Sequence, residues 1–302
     1  VAGVDGSAVA LHAVRWAARE AAALGVPLRL VHSYFLVIGD YSKLQITAAD
    51  VQSEMRAAGA VRLQDAENAA LDTEPTLRVE SALYEGDPRV VLLGESRHAA
   101  LVVLGSRGLN ETGRLLLGSS GLTVAVQGDC PLVVVRAKAP ECGPVLVGVD
   151  GWPGSAAAAR FAFQQASMHG CALTVLHTWT ELTAAGVPWA SDGGSDVVHE
   201  EQRRLIVERL SGLTKEFVDV PVEYVVVRGR PGRALLQYGE HARLIVVGTR
   251  GRSAFTGLLL GSVSQNVANH ALCPVAVVRS KADTAHRSPP SRDSGAAVPR
   301  RT

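Results

Sequence analysis

The sequence predicts an α/β fold of two tandem open parallel five-stranded sheets, each with helices on both faces. Three observations carry this expectation: a repeat spanning half the chain, strands alternating with helices inside each copy, and apolar runs of the kind buried on both sides of a parallel sheet. Val1-Ala-Gly-Val-Asp5-Gly-Ser7 returns as Leu146-Val-Gly-Val-Asp150-Gly-Trp152. Leu101-Val-Val-Leu-Gly105-Ser106-Arg107-Gly108 returns as Leu244-Ile-Val-Val-Gly248-Thr249-Arg250-Gly251, and Cys130-Pro131 as Cys273-Pro274. The offset, about 143 to 145 residues, is that of a whole domain and not of a local motif.

Within the first copy, a strand at 1–5 meets Ser7, a residue able to cap a helix. Leu11, Val14, Ala18 and Ala21 follow at helical spacing, and Gly25 is the stop. A second strand is expected at 27–34, then a polar stretch at 39–50 and a helix over 51–71. A third strand at 76–83 ends at Gly86-Asp87-Pro88, where proline suits a first helical turn, and a short helix runs to His98. The runs at 101–104 and 131–136 supply the last two strands. The second copy repeats this course, with its first helix at 155–170 and Pro231 opening its third. The expected division is therefore 1–137 and 145–280, joined by a Pro/Gly linker at 137–144, with a polar, disordered tail at 281–302. The first strand starts at Val1, two or three residues short of its repeat, so residues are expected to precede it natively.

Composition narrows the partners. The 302 residues are 47% hydrophobic and 20% charged with a net charge of +1, so no overall field draws nucleic acid or an anionic membrane. No apolar run has the roughly 18 residues of a spanning helix, and a cytoplasmic protein is the default. Cys130, Cys142, Cys171 and Cys273 form no C-x-x-C pair and have no histidine at metal-ligand spacing, so ordinary thiols are expected and no protein metal site.

The chemistry lies in glycine spacing. Gly105-x-x-Gly108, nine residues, then Gly118-Ser119 recurs as Gly248-x-x-Gly251, nine residues, then Gly261-Ser262. The first two glycines let the backbone turn off a buried strand close to a ligand. The third opens a helix whose free N–H groups and positive dipole end favour phosphate, with Ser120 and Val263 supplying the next amide. In an open parallel sheet the ligand crevice lies where the winding reverses, here between the first and fourth strands. Asp5 and Asp150 stand there to accept from an amino group or a hydroxyl, and Gly3 and Gly148 leave room for a purine ring.

With these residues in place, the sequence resembles the ATP-binding branch of the universal stress protein family, nearly end to end in both copies. The branch motif Gly-x2-Gly-x9-Gly-Ser/Thr is matched by Gly105, Gly108, Gly118 and Ser119, and by Gly248, Gly251, Gly261 and Ser262. The resemblance implies a Rossmann-like, adenine nucleotide α-hydrolase-like fold with one ATP per copy, acting as a nucleotide-dependent regulator in stress response with a protein partner still unknown. It places the nucleotide-contacting acid on Asp5 and Asp150 and the backbone beside adenine on Ser33 and Thr178. It also implies a homodimer through the edges of the final strands, 131–136 and 274–279, which would otherwise be an aggregation hazard. Glu181 follows the second strand in the second copy only, placed to take a ribose hydroxyl; Leu36 holds the similar place in the first. Mg²⁺ accompanies the phosphates if a metal is used, since no carboxylate cluster demands one.

Plainer readings stand beside these. Asp5 and Asp150 also suit capping of the helices that follow. Arg107 and Arg250 suit phosphate or solvent equally. His32 and His177, on apolar strands, read as hydrogen-bonded core residues and not as ligands. The rival function is a slow ATPase or adenylate-transferring enzyme, against which the sequence has no Ser-Gly-Gly-x-Asp loop after the first strand and no His-x-Gly-His.

Overall fold

The computed structural model describes residues 1–35, 47–106, 117–136, 142–151, 155–179, 194–249 and 260–280. The first half runs β1 (Ala2–Gly3), α1 (Ala8–Leu24), β2 (Leu28–Tyr34), α2 (Ala48–Thr73), β3 (Val79–Glu85), α3 (Pro88–Ser96), β4 (Val102–Gly105), α4 (Ser119–Gln127) and β5 (Leu132–Val135). The second runs β6 (Val145–Val149), α5 (Ala156–Met168), β7 (Leu173–Trp179), α6 (Gly194–Glu216), β8 (Val222–Arg228), α7 (Pro231–Tyr238), β9 (Leu244–Gly248), α8 (Ser262–His270) and β10 (Val275–Val278).

Local chemistry sets these boundaries. Ser7 Oγ accepts the Ala10 amide at 3.1 Å to start α1, and Gly25, at φ 65°, ends it in the left-handed conformation that glycine adopts without penalty. Asp87 caps α3 with Pro88 at its first turn. Helix α2 begins earlier than the periodicity predicts, because Thr47 and Asp50 form a reciprocal capping box. Its apolar stripe is weak there, so the cap and not the pattern fixes the start. Strand β3 lies about three residues later than expected, paired with β2 from Leu28↔Val79 to Tyr34↔Glu85.

The sheet order is β3-β2-β1-β4-β5-β10-β9-β6-β7-β8. Each half is parallel, and the halves meet in an antiparallel β5–β10 pair with Val133 opposite Ala276. Two separate sheets were expected, and here they are the halves of one ten-stranded sheet. The edge-to-edge pairing of final strands that the resemblance implied for a homodimer occurs here within one chain. Both edges hydrogen-bond each other inside one chain, so neither is left for a second copy.

Alternate residues along β4 divide the core. Val103 packs on the face covered by α1, α2, α5 and α6, while Val102 and Leu104 pack on the face covered by α3, α4, α7 and α8. Each apolar layer is continuous across both halves. The linker at 137–141, the tail at 281–302 and Leu36 lie outside the described residues.

Candidate functional site

The winding reverses between β1 and β4, which pair in parallel with Ala2 opposite Val103. Beyond their carboxyl ends lies a cavity of about 190 Å³ lined by Gly3, Asp5, Ser33, Gly105, Gly118 and Ser120, among others. Six residues singled out in the sequence therefore face one space.

The floor is built by the first turn of the chain. Asp5 Oδ1 accepts the Ser7 amide at 2.9 Å, and Gly6, at φ 84°, makes the bend between them. Ser7 is the cap of α1, so Asp5 does not cap the helix itself but pins the turn leading to it. A carboxylate has about four lone-pair sites, so this bond leaves capacity for a ligand donor.

His32 lines the same cavity and is 4% exposed. Its Nδ1 lies 2.6 Å from the Val4 carbonyl oxygen and its Nε2 lies 3.3 Å from Arg62 Nη1. A carbonyl only accepts and a guanidinium only donates, so the ring carries its proton on Nδ1. The reading of His32 as a satisfied core residue holds. Ser33, next along β2, donates from Oγ to the Gly86 carbonyl at 2.6 Å, so its hydroxyl is committed within the protein.

Gly105 lines the cavity for a reason other than the one its spacing suggests. A Cβ there would come within 2.9 Å of the backbone of Val9 and Ala10. The missing side chain thus admits the first turn of α1, where a close approach by a ligand was expected. At Gly3 a Cβ would meet the Leu104 side chain, and at Gly148 the Leu235 side chain, so neighbouring leucines take the room assigned to a purine. Ser106 is buried, with its amide on the Val135 carbonyl at 2.9 Å and no partner for its hydroxyl among the described residues.

Helix α4 opens at Gly118 with no side-chain cap. Ser119 is exposed and Ser120 half-buried, so the amides of its first turn remain available to an anion.

The second half reproduces the frame. His177 Nδ1 meets the Val149 carbonyl at 2.8 Å and its Nε2 faces Gln202 at 3.2 Å. Gly151, at φ 77°, bends the chain after Asp150. Thr178 is half-buried at the end of β7, and α8 opens at Gly261 without a side-chain cap, followed by exposed Ser262 and half-buried Val263. Thr249 is buried with its amide on the Val278 carbonyl at 3.0 Å, and its own carbonyl accepts the Gly261 amide at 2.8 Å. Where the first half has Gly121, the second has Ser264, whose Oγ donates to the Gly248 carbonyl at 2.5 Å. Arg107, Gly108, Glu181, Arg250 and Gly251 lie outside the described residues.

Sequence reasoning missed a pair of arginines. Arg62 on α2 crosses Gly6, and Arg209 on α6 crosses Gly151, each so near that a Cβ on the glycine would touch the arginine side chain. The two arginines are 147 residues apart, outside the 143 to 145 offset of the repeat, so matching at that offset does not pick them out.

Among the described residues no group of three His, Cys, Asp or Glu side chains is arranged to hold a metal, and no helix is long and apolar enough to cross a membrane.

The model of the universal stress protein family matches residues 1–136 and again 142–279. A universal stress protein of Mycolicibacterium smegmatis is 36% identical over 286 residues, covering 92% of this chain and 95% of that protein. One from Mycobacterium tuberculosis (strain H37Rv) is 35% identical over 291 residues, covering 92% and 96%. The crystal structure of a universal stress protein from Archaeoglobus fulgidus DSM 4304 matches with a TM-score of 0.64 at 20% identity, covering 92% of this chain and 97% of that one, which is a likeness of fold.

Proposed function

The chain belongs to the universal stress protein family, and from that premise we propose that each half binds one ATP and that occupancy makes the protein a nucleotide-dependent regulator in stress response, in the cytoplasm. The observation that carries this reading is the convergence of Gly3, Asp5, Ser33, Gly105, Gly118 and Ser120 on one cavity at the reversal of strand order.

At about 190 Å³ the cavity is smaller than the roughly 300–1,000 Å³ of a typical small-molecule site. It suits one flat ring, with the ribose and phosphates running outward. In this arrangement the base lies by the backbone of Ser33, and Asp5 accepts from a ligand N–H or hydroxyl. The phosphates sit on the uncapped start of α4 at Gly118, Ser119 and Ser120, beside Gly105 and Ser106. In the second half Asp150, Thr178, Gly248, Thr249, Gly261, Ser262 and Val263 take the same parts. Arg107 and Arg250 are assigned to phosphate, Gly108 and Gly251 to the turn that admits it, and Glu181 to a ribose hydroxyl. Mg²⁺ travels on the phosphates and needs no protein cluster.

Binding without turnover is the reading because, of the described residues lining the cavity, Asp5 is the one carboxylate and His32 the one imidazole. Both ring nitrogens of the imidazole are committed, to Val4 and Arg62, and the spare lone pairs of Asp5 are assigned to a ligand N–H or hydroxyl, so neither group is set apart as a base for water. Equilibrium dialysis of the full chain against ATP tests this. Two nucleotides per chain recovered intact support it, release of ADP or AMP at a steady rate supports the enzyme reading instead, and no retained nucleotide refutes both.

A further inference from the structure

The start of α4 is held by a residue of the other half. Leu117, just before the Gly118 cap, has its amide 3.0 Å from Asn269 Oδ1. The donor is a backbone N–H, so the asparagine must present its oxygen, and the assigned orientation of its amide group is the one the contact requires. Asn269 lies in the last turn of α8, whose first turn is the anion end assigned to the second half.

Helices α4 and α8 pack on the same face of the sheet beside the β5–β10 seam. Two arginines, one from each half, clasp that seam. Arg279 Nη1 donates to the Gly128 carbonyl at the end of α4, at 3.2 Å, and Arg136, its counterpart in the repeat, donates from Nη2 to the Ala268 carbonyl near the end of α8. Cations at helix carboxyl ends are favourable, which accounts for both.

The Leu117 contact has no such twin. The position in α4 that corresponds to Asn269 is Val126, and a valine has no oxygen to offer Leu260, the counterpart of Leu117. Among the described residues the tether therefore runs one way: the second half fixes the entry to α4, and no bond from the first half fixes the entry to α8.

We propose that Asn269 is a positioning residue of the first anion site, holding Leu117 so that the amides after Gly118 are aimed before a phosphate arrives. This rests on the nucleotide reading above. A loop ordered in advance spares the ligand the cost of ordering it. The first site thus depends on the second half for its affinity for phosphate, and the second site has no corresponding dependence.

The test uses the full chain with one site blocked at a time, Gly261→Glu leaving the first site and Gly118→Glu the second, with ATP titrated calorimetrically. Adding Asn269→Leu should weaken ATP at the first site about five-fold, the scale of one hydrogen bond, and leave the second unchanged. Because α8 itself opens the second site, damage to the helix would weaken the second site as well, and that outcome overturns the proposal, as does an unchanged first site. Amide exchange of Leu117 in nucleotide-free protein forms an independent arm. It should be slow in the wild type and in Asn269→Asp, which keeps the acceptor, and fast in Asn269→Leu; equal rates in all three overturn the tether. Loss of ATP binding in the wild type would sink the nucleotide reading, while the exchange rates still decide whether Asn269 holds Leu117.

Discussion

His32 stands 2.6 Å from the carbonyl oxygen of Val4, so the side chain of β2 satisfies the backbone of the adjoining strand at the point where β1 turns into the site. His177 does the same for Val149. A core histidine on each second strand thus fixes the end of each first strand, and with it Asp5 and Asp150.

Replacing His32 with Phe keeps the bulk and removes the donor, leaving a buried carbonyl unpaired at a cost of about 1–3 kcal/mol. Urea unfolding should show that loss. An unchanged midpoint would mean that water or another donor takes the place of the ring.

Glycines near the site should divide by what surrounds them. Gly105→Ala drives a Cβ into the backbone of Val9 and Ala10 and should destabilise by about 1–3 kcal/mol. Gly94→Ala, on an exposed position of α3 with nothing within 4 Å, should stabilise by about 0.5–1 kcal/mol. Paired thermal melts of the two variants check both signs.

Glu20 of α1 and His169 at the end of α5 bridge the halves at 2.7 Å, with the Glu20 side chain 5% exposed. Its other oxygen, Oε2, is buried without a partner among the described residues. His169→Ala removes the one hydrogen-bond partner that Glu20 has among the described residues and should cost about 1–3 kcal/mol. Adding Glu20→Gln should recover part of the loss, since a neutral amide is cheaper to bury than a charge. A double-mutant cycle in urea measures the difference.

Glu95 sets an acid limit. Burial pushes its carboxyl up, but hydrogen bonds from Arg29 and Tyr84 outweigh burial and hold it below the usual carboxylate range. A carboxyl lowered by folding contributes stability that is complete above its unfolded pKa, about 4.3, and is lost as pH falls through the folded value. Unfolding midpoints should therefore hold down to about pH 4.3 and fall below it, and Glu95→Gln should flatten that fall. An equally steep fall in the variant would assign the acid sensitivity elsewhere.

The duplicated architecture was legible because glycine and proline punctuation, cap residues and apolar runs act locally: Ser7, Gly25, Asp87 and Pro88 each do in space what their position suggests. The start of α2 was missed because a Thr47–Asp50 box set it without an apolar stripe. Gly105 was picked out for the right place and the wrong neighbour, since spacing marks a close approach without saying that α1 makes it. Asn269, Arg136, Arg279 and the Glu20–His169 bridge were not legible at all. Each acts across the β5–β10 seam on a partner more than a hundred residues away, and no local pattern encodes that pairing.

The most direct test of the nucleotide account is ATP stoichiometry in three proteins: wild type, Gly118→Glu and Gly261→Glu. A carboxylate at either helix start fills the phosphate position and opposes its charge, so the account predicts that each variant loses one of the two bound nucleotides and keeps the other. Full retention by either variant would contradict it.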